Sequence, residues 1–295
     1  MVEITVQEKI KAYIEILRPG WWLACFFIGL TPGILAIHWR DDGSMDAFWE
    51  MKTIFWALGY WASVVGMYVF NDMVGKEEDE TNNPKRPIPA GMITTKEASI
   101  YSAVLLVIGV CLFWIAFEDP AATLVQLACI GLIVIHSHYL KVNVILGLAA
   151  GLIPVAIWIG LADFSWIMVA LFSLVFFWEL ALDVPENILH FEGDMKAHPH
   201  TMAIILGKEK LASIGIYFAI AAIASSFWLA YLLDFSARNT GIYLVFAIIG
   251  AIAMLNGTLA IRKNIQPMLL GKATGLAMLF ILLNNIGLMI AAGLS

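Results

Sequence analysis

Residues 71–91 read NDMVGKEEDETNNPKRPIPAG and directly follow an apolar segment, 54–71, of nearly bilayer-spanning length. A second stretch, residues 183–194, reads DVPENILHFEGD and follows another such segment, 165–182. Carboxylates at the edge of a membrane core are costly and mark functional sites by default. Two clusters of hard oxygen ligands predict Mg²⁺, and Mg²⁺ at a membrane predicts a phosphorylated lipid as its companion.

The composition is that of a membrane protein. Of 295 residues, 61% are hydrophobic and 14% charged, and the mean hydropathy is +0.85, which excludes an ordinary soluble globule. The apolar segments that approach or exceed the roughly 20 residues of a span are 21–39, 54–71, 99–117, 121–139, 143–162, 165–182, 212–233, 241–261 and 273–294. We therefore expect an all-α polytopic bundle of about nine transmembrane helices around a central cavity, forming one domain over residues 1–295.

The basic residues predict the orientation of this bundle. With nine spans, the N-terminus and every second loop share one side of the membrane. That side holds Lys9, Lys11, Arg18, Lys76, Lys85, Arg86, Lys96, Lys141, Lys196, Lys208, Lys210, Arg262, Lys263 and Lys272. The opposite side holds only Arg40, Lys52 and Arg238. Because Lys and Arg are retained on the cytoplasmic side, we predict a cytoplasmic N-terminus and a cytoplasmic polar cap that carries both acidic clusters.

Helical spacing groups the polar residues of each cluster. Positions seven apart return to within about 20° on a helix, so Asp72 and Asp79 face the same way if their helix continues past the membrane. The same arithmetic places Glu179, Asp183, Asn187, His190 and Asp194 on one stripe. A polar stripe on a membrane helix is expected to face the interior of the bundle. The basic residues near the clusters, which are candidate phosphate ligands, are Lys76, Lys85, Arg86, Lys141 and Lys196.

This combination fits the ionisation of an allylic diphosphate. Mg²⁺ and basic side chains stabilise the departing diphosphate, where negative charge develops. An apolar, aromatic lining below would keep water from the carbocation left behind. A transporter or lipid-phosphate binding protein is the rival interpretation, although carboxylates gathered at one membrane edge disfavour a path through the bilayer.

Both stretches resemble the signatures of a known family. Residues 71–91 resemble the motif N-D-x-x-D-x-x-x-D followed by N-x-P-x-R-P-x-x-x-G of the UbiA superfamily of intramembrane prenyltransferases. Residues 187–194, followed by Thr201 and Gly207, are similar to its second motif, D-x-x-D-x-x-G-D with a downstream Thr. Residues 139–141 are similar to its Tyr-x-x-Lys-type element. The resemblance covers essentially the whole chain.

The resemblance implies a Mg²⁺-dependent enzyme that transfers a prenyl group from an allylic prenyl diphosphate to a lipophilic acceptor within the membrane. The implied metal ligands are Asp72, Asp79, Asn187 and Asp194. The implied catalytic residues are Asp72, Asp79, Asp194, Lys141 and Arg86. The candidate substrate-binding residues are Asn71, Tyr139, Asn187, His190, Lys196 and Asp183. The expected partners are these two substrates and membrane lipid, and no residue pattern indicates nucleic acid or a protein partner.

Two positions depart from the family pattern. Gly75 stands where the first motif has its middle Asp, and His190 stands where the second motif has an Asp. Each motif has therefore lost one carboxylate, for which Glu78, Asp183 and Glu186 are candidate replacements. The departures leave cyclisation of a prenyl diphosphate open beside transfer.

Overall fold

The computed structural model describes residues 5–40, 51–197 and 201–293, and within them every regular element is helical. The α-helices are α1 (Val6–Glu15), α2 (Trp22–Arg40), α3 (Met51–Val74), α4 (Lys76–Asn82), α5 (Thr95–Phe117), α6 (Pro120–Ile135), α7 (Asn143–Ile159), α8 (Trp166–Leu189), α9 (Phe191–Ala197), α10 (Met202–Leu206), α11 (Lys208–Leu232), α12 (Ala237–Lys263) and α13 (Pro267–Gly293). The all-α fold class is confirmed.

The described residues contain seven helices that are long and apolar enough to cross a membrane: α3, α5, α8, α11, α12, α13, and α6 with the turn that follows it. An eighth span results if Val6–Trp21 and Cys25–Arg40, which meet at a bend of 53°, count as one broken crossing. The apolar helix α7 has 17 residues, which is short for a span. The chain is a multi-pass membrane protein, and the exact number of nine spans stays a prediction.

Helix α8 is central to the bundle, since it packs against α7, α11 and α13. Its N-terminus is capped by Ser165, whose hydroxyl accepts from the backbone N–H of Ile167 at 3.2 Å. The main core combines residues of both halves of the chain, such as Trp56, Trp158 and Phe280, all of which are buried. Its two halves therefore pack as one helical body.

Small residues allow α3 and α5 to pack closely. A Cβ atom built on Gly109 would lie 2.3 Å from Oγ and 2.8 Å from the backbone N of Ser63, and one built on Gly59 would lie 2.8 Å from the backbone N of Phe113. Neighbouring membrane helices approach at this distance only where side chains are absent. The contact matters because α3 leads directly into the first acidic stretch.

Three breaks between helices position the polar residues. Helix α3 ends at Val74, and Gly75 separates it from the short α4, so the helix does not run on continuously as the spacing argument assumed. A π-helical turn, His136–Leu140, precedes Lys141, whose φ is +44°. Arg18 stands before a 3₁₀ turn with φ +53°. Positive φ is strained for side chains with a Cβ, and such strain clusters at functional sites.

We predict that Gly109→Ala destabilises the protein by about 1–3 kcal/mol, because its methyl group would overlap backbone atoms of α3 and force the helix pair apart. The measurement is the unfolding midpoint in detergent or nanodiscs. Gly131→Ala is the matched control, since nothing lies within 4 Å of a Cβ at that helical glycine. Equal midpoints for the two variants would contradict this account of the α3–α5 contact.

Candidate active site

One cavity of about 240 Å³ lies between the helices that carry the two acidic stretches. Its lining comes from α2, α3, α4, α6, α7, α8, α9 and α13 and from the segments that join them. The charged and polar lining residues at one end, here called the mouth, are Arg18, Asn71, Glu78, Asp79, Arg86, Lys141, Asp183, Glu186, Asn187, His190 and Asp194. The remaining lining is mostly apolar, so the charged mouth leads into an apolar chamber.

The first cluster is organised around a shared arginine. One guanidinium nitrogen of Arg86 donates to both carboxylate oxygens of Asp79 at 2.8 Å and to Oδ1 of Asp72 at 3.2 Å. Arg18 donates to the same oxygen of Asp72 from the opposite side. Asp72 is only 3% exposed and lies behind these arginines rather than on the cavity wall. Both carboxylates predicted from the first motif thus meet through Arg86, despite the helix break.

A second ion pair at the mouth joins α4 to the segment after α6. Lys141 donates to Oε2 of Glu78, and both side chains are largely buried. Burial and repulsion from Glu78 raise the pKa of Asp194 to about 7. Such mutual repulsion between carboxylates is relieved by a cation placed near them.

The second cluster follows α8 only as far as Asn187, because the helix ends at Leu189 and Asp194 stands on the separate α9, so the single continuous stripe that the spacing predicted is interrupted. Asn143 donates to Asp183, and the side-chain amide of Asn187 donates to the backbone carbonyl of Asp183 at 3.0 Å. Burial lowers the pKa of His190, which favours its neutral imidazole. Asp183, Asn187, His190 and Asp194 line the cavity, whereas Asn143, at the start of α7, does not.

Hydrogen bonds between the side chain of Asn82 and the backbone of His190 and Gly193, here called the clasp, join the two motifs. The amide of Asn82 at the end of α4 donates to the carbonyl of His190 at 3.1 Å and accepts from the backbone N–H of Gly193 at 3.2 Å. A Cβ built on Gly193 would lie 2.3–2.5 Å from the Asn82 amide atoms. Glycine at this place is therefore what lets Asn82 reach the second motif and keeps α4 against α9.

The structure brings most of the predicted site residues together. Those that line the cavity are Asn71, Asp79, Arg86, Lys141, Asp183, Asn187, His190 and Asp194, with Asp72 directly behind them. Tyr139 and Lys196 are not in the lining: the Tyr139 side chain is 70% exposed, and Lys196 is exposed on α9. Tyr139 lies in the π turn, one residue before its end at Leu140, and its side chain stays outside while Lys141, after the turn, lines the cavity.

Sequence reasoning left several lining residues out of the predicted site. Arg18 belongs to the mouth, where it also stacks over the ring of Tyr68 at 5.1 Å from the centroid. Its position before the first span, on the same side as both acidic stretches, was the available signal. Glu186, named from the sequence only as a candidate replacement for a lost carboxylate, lies one residue off the predicted stripe but lines the cavity. Asn143 does not line the cavity but donates to Asp183, and its apolar neighbours at the start of α7 gave no signal of this contact.

Within residues 5–40, 51–197 and 201–293, no group of three or more His, Cys, Asp or Glu side chains forms a ready-made metal site. Mg²⁺ does not need one, since it is usually held by one or two carboxylates together with substrate phosphates. The oxygen donors around the mouth, with Glu78 repelling Asp194, have the chemistry that fits this hard cation.

Comparison with known proteins agrees with this geometry. The sequence model of the UbiA prenyltransferase family matches residues 29–267. The chain belongs to the UbiA prenyltransferase family. It is 30% identical to the digeranylgeranylglyceryl phosphate synthase of Thermococcus kodakarensis over 74% of this chain and 77% of that protein. It is 26% identical to the protoheme IX farnesyltransferase of Rippkaea orientalis over 88% of this chain and 78% of that protein.

Solved structures show the same fold as this UbiA family member. A structure described as digeranylgeranylglyceryl phosphate synthase in membranes superposes with a TM-score of 0.70 at 20% identity, covering 98% of this chain and all of that one. A UbiA homolog from Archaeoglobus fulgidus, bound to GPP and Mg²⁺, superposes with a TM-score of 0.62 at 15% identity, covering 95% and 99%. The protein is thus a membrane-embedded prenyltransferase.

We predict that Gly193→Ala and Asn82→Ala are strongly non-additive. Gly193→Ala should cost about 1–3 kcal/mol because its methyl group collides with the Asn82 amide. In the Asn82→Ala background that collision is gone, so the same substitution should cost much less. Unfolding midpoints of the four proteins in the cycle give the coupling, and the exposed neighbour Thr81→Ala serves as control. Additive losses would mean that the clasp does not join the two motifs.

Proposed function

We propose that the protein catalyses Mg²⁺-dependent transfer of a prenyl group from an allylic prenyl diphosphate to a lipophilic acceptor inside the membrane. The observation that carries the proposal is the cavity in which a mouth of basic and acidic side chains opens into an apolar chamber. A diphosphate fits the mouth, and an isoprenoid tail fits the chamber. The names of two relatives, digeranylgeranylglyceryl phosphate synthase and protoheme IX farnesyltransferase, are consistent with this reaction class.

The mouth supplies both kinds of group that a diphosphate requires. Arg18, Arg86 and Lys141 line it and offer charged N–H donors to phosphate oxygens. Of the metal ligands that the motifs imply, Asp79, Asn187 and Asp194 line the cavity and would hold Mg²⁺ through their side-chain oxygens, whereas Asp72 lies behind them and would act through Arg18 and Arg86. When bound, Mg²⁺ neutralises the charge that develops on the departing diphosphate.

The chamber below protects the reacting carbon. Its lining includes Tyr60, Met67 and Val175, together with Tyr68 and Trp178. The Trp178 indole donates to the carbonyl of Ala277 at 2.8 Å, which satisfies its polar atom and fixes its ring. Apolar walls exclude water from an allylic cation, and aromatic faces stabilise positive charge. The residues that bind the diphosphate and those that shield the cation thus lie in one continuous space.

The proposal places the mouth on the cytoplasmic side, because the side predicted to carry it holds 14 of the 17 Lys and Arg residues. It also treats residues 1–295 as one catalytic domain, since helices from α2 to α13 contribute to the same cavity. The acceptor is the substrate in which these two relatives differ, as their names indicate.

Wild-type protein in nanodiscs, given Mg²⁺, GPP or DMAPP and a membrane lipid extract as the source of acceptors, should release diphosphate. Asp194→Asn and Asp72→Asn should slow this release by about 10²–10³-fold. Asp194→Asn weakens the hold on Mg²⁺, and Asp72→Asn removes the carboxylate that positions Arg18 and Arg86 beside the departing diphosphate. Glu192→Gln is the matched control on α9, since its side chain is 72% exposed and its ion pair within the described residues is a long one, with Lys208 at 3.7 Å. No release from any allylic diphosphate, with unchanged diphosphate binding in both Asn variants, would refute the enzyme proposal.

Glu78 is expected to stand in for the carboxylate missing at Gly75. A Cβ built on Gly75 would lie 3.7 Å from Oε2 of Glu78, so the Glu78 carboxylate occupies the space that an Asp at position 75 would enter. Glu78→Gln should raise the Mg²⁺ concentration for half-maximal binding of geranyl thiolodiphosphate by about tenfold, the value of one charge-assisted contact. The exposed neighbour Glu77→Gln should leave it unchanged. The same Mg²⁺ requirement in both variants would show that Glu78 has no such role.

A further inference from the structure

Glu179 is a cavity residue that the diphosphate site does not use. It lies on α8 four residues before Asp183, which is one helical turn, or about 6 Å, deeper into the bundle. It lines the cavity, and in the described part of the chain its side chain has no hydrogen bond or ion pair. Carboxyl groups inside a membrane helix are expensive and are kept for a function.

The surroundings of Glu179 form a small polar layer in the apolar chamber. Across the cavity, on α2 and α3, the Cys25 sulfur and the Tyr68 hydroxyl lie 3.2 Å apart and share a hydrogen bond. Glu179 is close enough to interact electrostatically with Cys25 and with Tyr60, which also lines the cavity. Its charged neighbours along α8 are Asp183 and Glu186, both of its own sign.

Neither the diphosphate nor the prenyl tail can satisfy this carboxyl group. A diphosphate is negatively charged and would be repelled, and the cations of the mouth already pair with other carboxylates, Arg18 with Asp72, Arg86 with Asp79 and Lys141 with Glu78. A hydrocarbon tail offers no hydrogen bond, so burying Glu179 against it alone would be costly. The ligand group that matches Glu179 is a hydrogen-bond donor on another molecule.

The depth of Glu179 indicates which molecule this is. With the diphosphate in the mouth, C1 of the prenyl chain is the first carbon below it. A side chain one helical turn deeper than Asp183 reaches about the same level. A donor held by Glu179 therefore lies beside the carbon that is attacked. Positioning two reactants in this way is a large part of catalysis of a bimolecular step.

We propose that Glu179 binds the acceptor through a hydroxyl group and takes its proton, so that the acceptor is a hydroxyl-bearing lipid; this inference rests on the proposed function. The hydroxyl oxygen forms a bond to C1 of the prenyl chain, and the bond between C1 and the diphosphate oxygen breaks. The diphosphate leaves with the electron pair of that bond. The hydroxyl proton passes to the Glu179 carboxylate, and the Tyr68–Cys25 pair borders the same space.

The test compares wild type with Glu179→Gln, Glu179→Asp and Ser173→Ala in nanodiscs. Ser173 is the control on the same helix, because its hydroxyl bonds to the Val169 carbonyl and does not line the cavity. The acceptor probes are 1-O-octadecylglycerol and 4-nonylphenol, each paired with its fully O-methylated ether. Three quantities are measured: probe binding by native mass spectrometry, prenylated product, and prenol formed when water captures the cation.

Glu179→Gln should weaken binding of at least one hydroxyl probe by about tenfold and slow its prenylation by about 100-fold, with more prenol formed relative to product. Glu179→Asp should be intermediate, and Ser173→Ala should match wild type. Binding of geranyl thiolodiphosphate should be the same in all four proteins, which also shows that the variants are folded. The O-methylated ethers should bind weakly and equally to wild type and Glu179→Gln.

The inference is overturned if Glu179→Gln binds and prenylates both hydroxyl probes as wild type does, or if the ethers bind as tightly as the hydroxyl compounds. Absence of binding of both hydroxyl probes to wild type overturns it as well. Failure of the proposed function looks different, since wild type would then release no diphosphate from GPP or DMAPP under any condition. Probe binding would still report on Glu179 in that case.

Discussion

The charge pairing at the mouth is the interaction on which the rest of this site depends. Carboxylates at the edge of an apolar core need cations or hydrogen bonds, and here Arg86 meets this need for Asp79 and Asp72 together. Arg86 belongs to the loop after α4, so its hydrogen bonds hold that loop against the end of α3. Lys141 does the same for Glu78 from the π turn after α6. The loop after α4, the end of α3 with α4, and the turn after α6 thus meet at the mouth, where their opposite charges pair.

The all-helical fold and the depth of the polar residues could be predicted from the sequence for a physical reason. The apolar segments have no alternative to a helix in a membrane, since every backbone N–H and C=O must be satisfied within the segment. Asn187 and Asp194 both line the cavity, although the helix breaks between them and their seven-residue spacing is not that of one continuous helix. Family membership was predictable because residues 71–91 carry a long motif with few substitutions.

What the sequence could not show depends on breaks and on distant partners. Asp72 and Asp79 converge although α3 stops at Val74, because Arg86 pulls the two carboxylates together across the break. Tyr139 was expected at the substrate, but the π turn rotates it outward, and periodicity at 3.6 residues per turn gives no warning of such a turn. Helix α7 shows a related limit. It is apolar, but its 17 residues are few for a span, so the number of spans stays open.

The departures at Gly75 and His190 acquire a common physical meaning in this arrangement. Position 75 is the break between α3 and α4, where an added Cβ would lie 3.1 Å from the carbonyl of Asn71, so glycine eases the turn that brings Glu78 inward. The neutral His190 reduces the negative charge beside Asp194, while Glu179 adds a carboxyl group one turn below the motif. Relative to the family pattern, the second motif thus has one carboxylate fewer beside the diphosphate, and α8 carries a carboxyl group one turn deeper, at the depth where the second substrate would react. A carboxyl group at this depth changes which acceptor the cavity can bind, while the residues around the diphosphate and the fold stay the same.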